Sequence, residues 1–581
     1  MQLSESPIKS GPILRNISEM LQRNFMRFPE QVVLYEKRNG KYEGYTWSEL
    51  YENIHNIAFN LRKNGFTTGD KMVIFSANRL EMLELELAVM ASGGICIPIF
   101  AYFHQETAEL LINHSDAKFL AVEGELQLSR LANIPKIEQI YIFDKDENNL
   151  SFDCHAYSDL LIPCDIGFKL NESASPDEVC LNMYTSGTMG IPKCVQLSHK
   201  NILSQQAALT NIWNLDSNDR FLSYLPWHHS FGGIFELFSA IYNGATIFLE
   251  PGKGKDPEII MQNWKDVRPT VFFSVPKVYQ SLVELTKRDK EAEELFFHSQ
   301  LKFIFTAAAP LPRQLSDEFE KRNIPVIEGW GLTETSPCCT LTDPHIKRQQ
   351  GVVGKPLPGV SIRLADDNEI QVKGPNVMKG YYKNDLANDG IFTEDGWFCT
   401  GDVGEITESG LKLVSRKDRI FKLSNGEKVI PTDLEKLIEG KCHYISFAMV
   451  VGSGQEYPVA LLFPNKKLLE KPDYLVAPED GCFCPRNLSE LKKCLHGCLH
   501  DANCGIGQKF ARIKAAMLID DELSLENGTL TSSMKAASAG ILNVYKANLE
   551  FMYDDDAMQY EDVYLIRLDH KMEQPARKIS N

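Results

Sequence analysis

Short runs of β-branched, aromatic and other apolar residues recur along this chain between stretches that read as helix: Met72 to Ser76, Lys118 to Val122, Gln139 to Phe143, Val179 to Tyr184, Ala245 to Leu249 and Thr270 to Val275. Each run is short and nearly continuous in apolar character, the pattern of a strand covered on both faces. Such strands alternating with helices predict an α/β fold built on largely parallel sheets flanked by helices. The apolar stretch Leu87 to Phe103 fits the same scheme, because Gly93, Gly94 and Pro98 interrupt it; it reads as helix, turn and buried strand rather than a membrane span. Near Gly351 the texture changes to shorter strands and frequent turns such as Lys373-Gly374-Pro375, which predicts a β-rich subdomain. The charged run Ser415 to Arg419 follows Leu413-Val414, so a boundary is expected there: a large domain over 1–414 and a small α+β domain over 415–581. The polar tail from Asp554, with Asp554-Asp555-Asp556 and a basic end, is expected to be loosely packed.

Charge narrows the function classes. Lys plus Arg number 61 against 78 Asp plus Glu, a net charge of −17, which excludes the broad basic footprint of a nucleic-acid binder. Any phosphate bound here must be gripped locally. Met1 to Pro7 carries no basic region leading into an apolar stretch, so no secretory signal is expected and the cytoplasm is the expected location. The 14 cysteines, spread over a long chain without such a signal, read as reduced thiols.

The most informative segment follows the fourth of those runs: Thr185-Ser186-Gly187-Thr188-Met189-Gly190-Ile191-Pro192-Lys193. Glycines let backbone N–H groups approach anionic oxygens, hydroxyls add hydrogen bonds, and Lys193 adds a mobile positive charge. That composition suits a polyphosphate, although the spacing differs from the Gly-x4-Gly-Lys-Ser/Thr loop. Taken with the motifs that follow it in order, the segment resembles the signature loop of the adenylate-forming enzymes, the superfamily of acyl-CoA synthetases, luciferases and peptide-synthetase adenylation domains.

The resemblance assigns further roles. Glu328-Gly329-Trp330-Gly331-Leu332-Thr333-Glu334 is similar to the segment whose aromatic, here Trp330, stacks on adenine, whose Thr333 contacts the α-phosphate and whose Glu334 holds Mg²⁺. Thr306-Ala307-Ala308-Ala309-Pro310 occupies the place of a Gly-Gly-Ala-Pro turn beside the base, with Ala308 in the cofactor site. Trp397-Phe398-Cys399-Thr400-Gly401-Asp402 resembles the segment whose Asp402 accepts hydrogen bonds from the ribose, and Arg416 matches an arginine that also reaches it. Asp418 falls at the hinge of a mobile small domain. Pro226-Trp227-His228-His229-Ser230-Phe231-Gly232 resembles a segment in which His229 gates the carboxylate pocket. Asn527-Gly528-Thr529 to Lys535 resembles the C-terminal segment of long-chain acyl-CoA synthetases, with Lys535 as the adenylation lysine.

The resemblance thus implies an ATP-, Mg²⁺- and CoA-dependent ligase that turns a medium- or long-chain fatty acid into acyl-AMP and then a thioester. The same motifs serve enzymes that load an acyl carrier protein instead, and an inactive nucleotide- or acyl-binding homologue would share them too. A lipid substrate is compatible with peripheral membrane contact without a transmembrane segment. Two substitutions depart from the family pattern: Cys194 stands where a Gly follows the loop lysine, and Ala536-Ala537-Ser538 follows Lys535. Cys482, Cys484, Cys494, Cys498, Cys504, His496 and His500 crowd one stretch of the small domain. Their types suit zinc, but the spacing is not that of a knuckle, and Cys494 and Cys498 lie one helical turn apart, as buried thiols often do.

Overall fold

The computed structural model describes residues 3–144, 152–165, 167–185, 192–307, 311–349, 351–442, 444–470, 485–524, 527–531, 536–554 and 564–568. These divide into two compact units, one comprising the residues up to Thr400 together with Gly404–Leu413, the other Gly401–Val403 and the chain from Val414 onward.

In the larger unit the alternation of apolar runs resolves into two big sheets. The first, of eight strands, has a parallel body in which Lys71–Ser76 lies between Ile95–Phe100 and Phe119–Val122, with Gln139–Ile142 beyond and Val179–Thr185 on the other side. Lys193–Ser198 adds antiparallel to Val179–Thr185, and Gly380–Tyr381 closes that edge. The second sheet, of nine strands, runs parallel through Thr246–Leu249, Arg220–Ser223, Val271–Ser274, Phe303–Thr306 and Val326–Trp330. All six runs expected to be strands are strands. The stretch Leu87 to Phe103 is the end of helix Leu80–Ala91, a turn through Gly93 at φ +81°, and strand Ile95–Phe100. That helix is buried along its length and, apart from Glu81, Glu84 and Glu86, carries only apolar residues.

The β-rich texture forms a five-stranded sheet that includes Ser361–Leu364, Glu369–Lys373, Phe398–Thr407 and Gly410–Arg416. Its outer strand is Leu3–Glu5, paired antiparallel with Ser361–Leu364, a contact that no local sequence signal announces. The smaller unit centres on a four-stranded sheet, Ile445–Val451, Val459–Pro464, Ala515–Leu518 and Leu565–Arg567, packed on helices Pro431–Lys441 and Leu488–Cys504. The last strand corrects the expectation of a loose tail at this point: Leu565–Arg567 pairs with Ala515–Leu518 and Ile566 enters the core, because a short segment with one buried apolar side chain suffices to complete an open sheet edge. Among the described residues, no helix is long and apolar enough to cross a membrane.

Candidate nucleotide and acyl site

The expected site segments of the larger unit leave the carboxyl ends of strands, the side of an open parallel sheet where loops can converge on a ligand. Val179–Thr185 pairs antiparallel with Lys193–Ser198, Thr185 opposite Lys193, so the two ends of the hydroxyl- and glycine-rich segment lie side by side. Its members Ser186, Gly187, Thr188 and Gly190 lie outside the described residues. Where those ends meet, the Thr185 hydroxyl donates to the Lys193 carbonyl at 3.4 Å. The Lys193 ammonium lies over the ring of Tyr381, 4.9 Å from its centroid, a cation–π arrangement. Tyr381 reaches this position because Gly380–Tyr381 pairs with the strand that Lys193 begins. Its hydroxyl donates to Glu334 Oε1 at 2.7 Å. One tyrosine thus connects the loop lysine to the expected metal ligand.

Glu334 and Thr333 occupy a single tight turn, Thr333–Thr335. The turn is fixed from both sides: Leu332 N–H donates to Thr335 Oγ1 at 2.9 Å, and Met378 N–H donates to the Glu334 carbonyl at 2.8 Å. The Thr333 and Ser230 hydroxyls are 2.9 Å apart, which brings the histidine segment against the same turn. A π-helical turn, Phe231–Glu236, follows that segment and packs closely on it. A Cβ on Gly233 would stand 1.9 Å from the Trp227 carbonyl oxygen, and one on Gly232 2.5 Å from that of Pro226, so both positions need glycine. His229 Nδ1 accepts from the Phe231 N–H at 3.2 Å, which fixes the orientation of the ring. Its neighbour His228 packs 5.0 Å from Phe100, and burial pushes its pKa down to about 4, so it is uncharged near neutrality.

The base-side motif runs through the end of strand Val326–Trp330. A Cβ on Gly329 would meet the Phe305 ring at 2.7 Å and one on Gly331 would meet the Pro337 carbonyl at 2.0 Å, so the segment is closely packed where it passes its neighbours. Trp330 is 7 % exposed and belongs to the main hydrophobic core, so its ring is packed against its neighbours rather than displayed. Ala308 lies outside the described residues, while Ala307 and Leu311 on either side of it are described.

In the smaller unit Asp402 and Arg416 come together. Arg416 Nη1 donates to Asp402 Oδ1 at 3.0 Å, and Arg416 Nε lies 3.7 Å from the carboxylate of Asp418. Gly401, at φ +72°, makes room for the guanidinium: a Cβ there would stand 3.2 Å from Arg416 Nη2. Lys417 N–H donates to the Gly401 carbonyl at 2.7 Å and holds the two segments in register. Lys535 lies outside the described residues, as do Cys482 and Cys484. Helix Leu488–Cys504 buries Cys494, leaves Cys498 half-buried and exposes Cys504. Among the described residues, no group of three metal-ligating side chains is gathered there or elsewhere.

Sequence reasoning missed Tyr381 and Ser230. Tyr381 belongs to no spaced motif and Ser230 is only a variable position of the histidine segment, and each reaches its partner through strand pairing or a turn far from it in sequence. A tyrosine pair, Tyr381-Tyr382, after a glycine was the only trace.

The description "AMP-binding enzyme" matches residues 21–382, and "AMP-binding enzyme C-terminal domain" matches residues 418–557. Long chain acyl-CoA synthetase 3 of Arabidopsis thaliana is 27 % identical over 89 % of this chain and 88 % of its own length. Fatty acyl-CoA synthetase A of Dictyostelium discoideum is 26 % identical, with 93 % and 90 % covered. Among solved structures, O-succinylbenzoate coenzyme A synthetase (MenE) from Bacillus subtilis in complex with AMP superposes with a TM-score of 0.71 at 22 % identity, covering 89 % of this chain and 96 % of that one. ATP-bound MatB from Rhodopseudomonas palustris gives 0.73 at 22 % identity, with 91 % and 99 % covered. These structures share the fold.

Proposed function

The chain belongs to the AMP-binding enzyme family, and we propose that it converts a carboxylic acid, a medium- or long-chain fatty acid, into its CoA thioester through an acyl-AMP. The observation that carries this reading is the line Lys193, Tyr381, Glu334, with Thr333 and Ser230 beside it, which gathers a cation, a carboxylate and hydroxyls from four separate segments. A carboxylate is a poor electrophile, so attack on the α-phosphate of ATP, with pyrophosphate leaving, is the step that readies it for a thiol. Lys193 and the loop hydroxyls and N–H groups hold the departing phosphates, Thr333 donates to the α-phosphate, and His229 borders the carboxylate.

The donor fits magnesium: Glu334 offers a hard carboxylate oxygen, and Tyr381 orients it. When bound, Mg²⁺ offsets the charge of the triphosphate. Asp402 and Arg416 take the ribose hydroxyls, Lys535 bridges the carboxylate and α-phosphate oxygens during adenylation, and Asp418 is the hinge between a large domain at 1–414 and a small one at 415–581. The names of the relatives, long-chain and fatty acyl-CoA synthetases, support the substrate class and the use of CoA.

Pyrophosphate release from Mg-ATP by the purified protein, across saturated fatty acids of graded length and with or without CoA, tests this. Acid-dependent release with AMP and acyl-CoA as products is the expected result. Acyl-AMP formed but never passed to CoA would indicate a carrier-protein acceptor, and no release with any acid would overturn the reading.

A further inference from the structure

The cysteines and histidines crowded on helix Leu488–Cys504 are not equivalent once the helix is packed. Cys494 is buried, and Cys498 lies against the hydrophobic core of the smaller unit. His496 has its Nε2 atom buried. That leaves His500 and Cys504, one helical turn apart and both exposed, Cys504 being the only exposed cysteine among the described residues. His500 Nε2 stands 3.7 Å from Cys504 Sγ.

That spacing suits a shared proton, and it also suits a shared metal ion. Zinc bonds to thiolate sulfur at about 2.3 Å and to imidazole nitrogen at about 2.0 Å, which at a tetrahedral angle sets the two donors about 3.5 Å apart. The backbone that carries them is fixed. Leu495, Leu499 and Ala502 sit in the core, and two hydrogen bonds hold the last turn: the Asn503 side-chain amide donates to the Ile513 carbonyl at 2.9 Å, and the Ile513 N–H donates to Asn503 Oδ1 at 3.0 Å. An ion captured by one donor therefore meets the second as an intramolecular partner already in place. Cys504 is the final residue of the helix, where the partial negative charge of the last carbonyls favours a cation. A thiolate with an imidazole selects zinc over the hard cations magnesium and calcium.

We propose that His500 and Cys504 form a two-donor chelate for zinc on the surface of the smaller unit, with water in the remaining tetrahedral positions. On binding, Zn²⁺ takes a lone pair from the Cys504 thiolate and one from His500 Nε2, and the thiol proton passes to solvent.

The test is titration of the full, reduced chain with Co²⁺, which takes the same tetrahedral donors and reports thiolate ligation as a charge-transfer band, followed by displacement with Zn²⁺. Wild type, Cys504→Ser, His500→Ala and the double variant are compared, with thermal melts alongside; both side chains are exposed, so all four are expected to melt alike. The wild type is expected to show the band and to lose it as Zn²⁺ is added. Each single variant is expected to weaken Zn²⁺ binding about tenfold or more, with little further loss in the double variant, because either change already breaks the chelate. A wild type without a thiolate band overturns the proposal. So does a band that survives in Cys504→Ser, which would place the ion on other cysteines, and so does wild-type affinity in His500→Ala, which would leave Cys504 a lone thiol.

Discussion

The Tyr381 hydroxyl donates a 2.7 Å hydrogen bond to Glu334, 47 residues earlier in the chain, while its ring lies beneath the Lys193 ammonium. This makes Tyr381 the support for both the loop lysine and the expected magnesium ligand. Tyr381→Phe keeps the ring and removes the donor to the carboxylate. A hydrogen bond to a charged group contributes about 1.5–3 kcal/mol, so the variant is expected to need roughly tenfold more Mg²⁺ for half-maximal pyrophosphate release. An unchanged magnesium requirement would show that Tyr381 does not orient Glu334.

Lys535→Ala is expected to reduce acyl-AMP formation by about a hundredfold or more, the scale for removing a preorganised charge from the reacting centre. Thioester formation from supplied acyl-AMP and CoA is expected to stay near the wild-type rate. Rapid-quench assays of each half-reaction separate the two; equal loss in both would remove Lys535 from its assigned step.

Asp402 is held by Arg416 at 3.0 Å, an arrangement suited to two ribose hydroxyls. The wild type should therefore favour ATP over 2′,3′-dideoxy-ATP, and Asp402→Ala should lose most of that preference, about tenfold in kcat/KM. Steady-state kinetics with the two nucleotides gives the ratio. A variant that keeps the wild-type preference would place ribose recognition elsewhere.

Glu86 offers a pH test of the fold. It lies buried on helix Leu80–Ala91, its carboxyl oxygens have no hydrogen-bond partner among the described residues, and burial lifts its pKa from 4.5 to about 8. The folded chain thus keeps a proton that the unfolded chain sheds. The associated stability is fully present below pH 4.5 and is lost as pH rises through about 8. At pH 7 the loss is roughly 3 kcal/mol. Glu86→Gln does not titrate, so its Tm relative to wild type should climb across this window. Melting curves that stay parallel from acid to mildly alkaline pH would mean the carboxyl is ionised inside the fold.

Much of the architecture was written in local patterns. Apolar runs such as Met72 to Ser76 and Val179 to Tyr184 could be covered on both faces only as inner strands of helix-flanked sheets, and they are. Gly93 marked the break between a buried helix and a strand because it acts on the backbone of its own residue, whereas Pro98 sits inside the strand Ile95–Phe100. The tail went the other way. Leu565–Arg567 is too short to announce itself, and only the open edge of Ala515–Leu518 made it a strand.

The same division runs through the site. By itself, the sequence singled out the candidate residues, namely the glycine- and hydroxyl-rich loop ending in Lys193, the Trp330 to Glu334 motif, Asp402 and Arg416, since each belongs to a short local pattern whose chemistry can be read from its residue types. Tertiary structure alone decided what surrounds them. Tyr381 meets Glu334 because its strand adds to the edge begun by Lys193, and Ser230 meets Thr333 because Gly232 and Gly233 let the chain pass close. Pairings of that kind depend on strand order and register, which follow from burying the whole core at once and from no stretch of residues read alone.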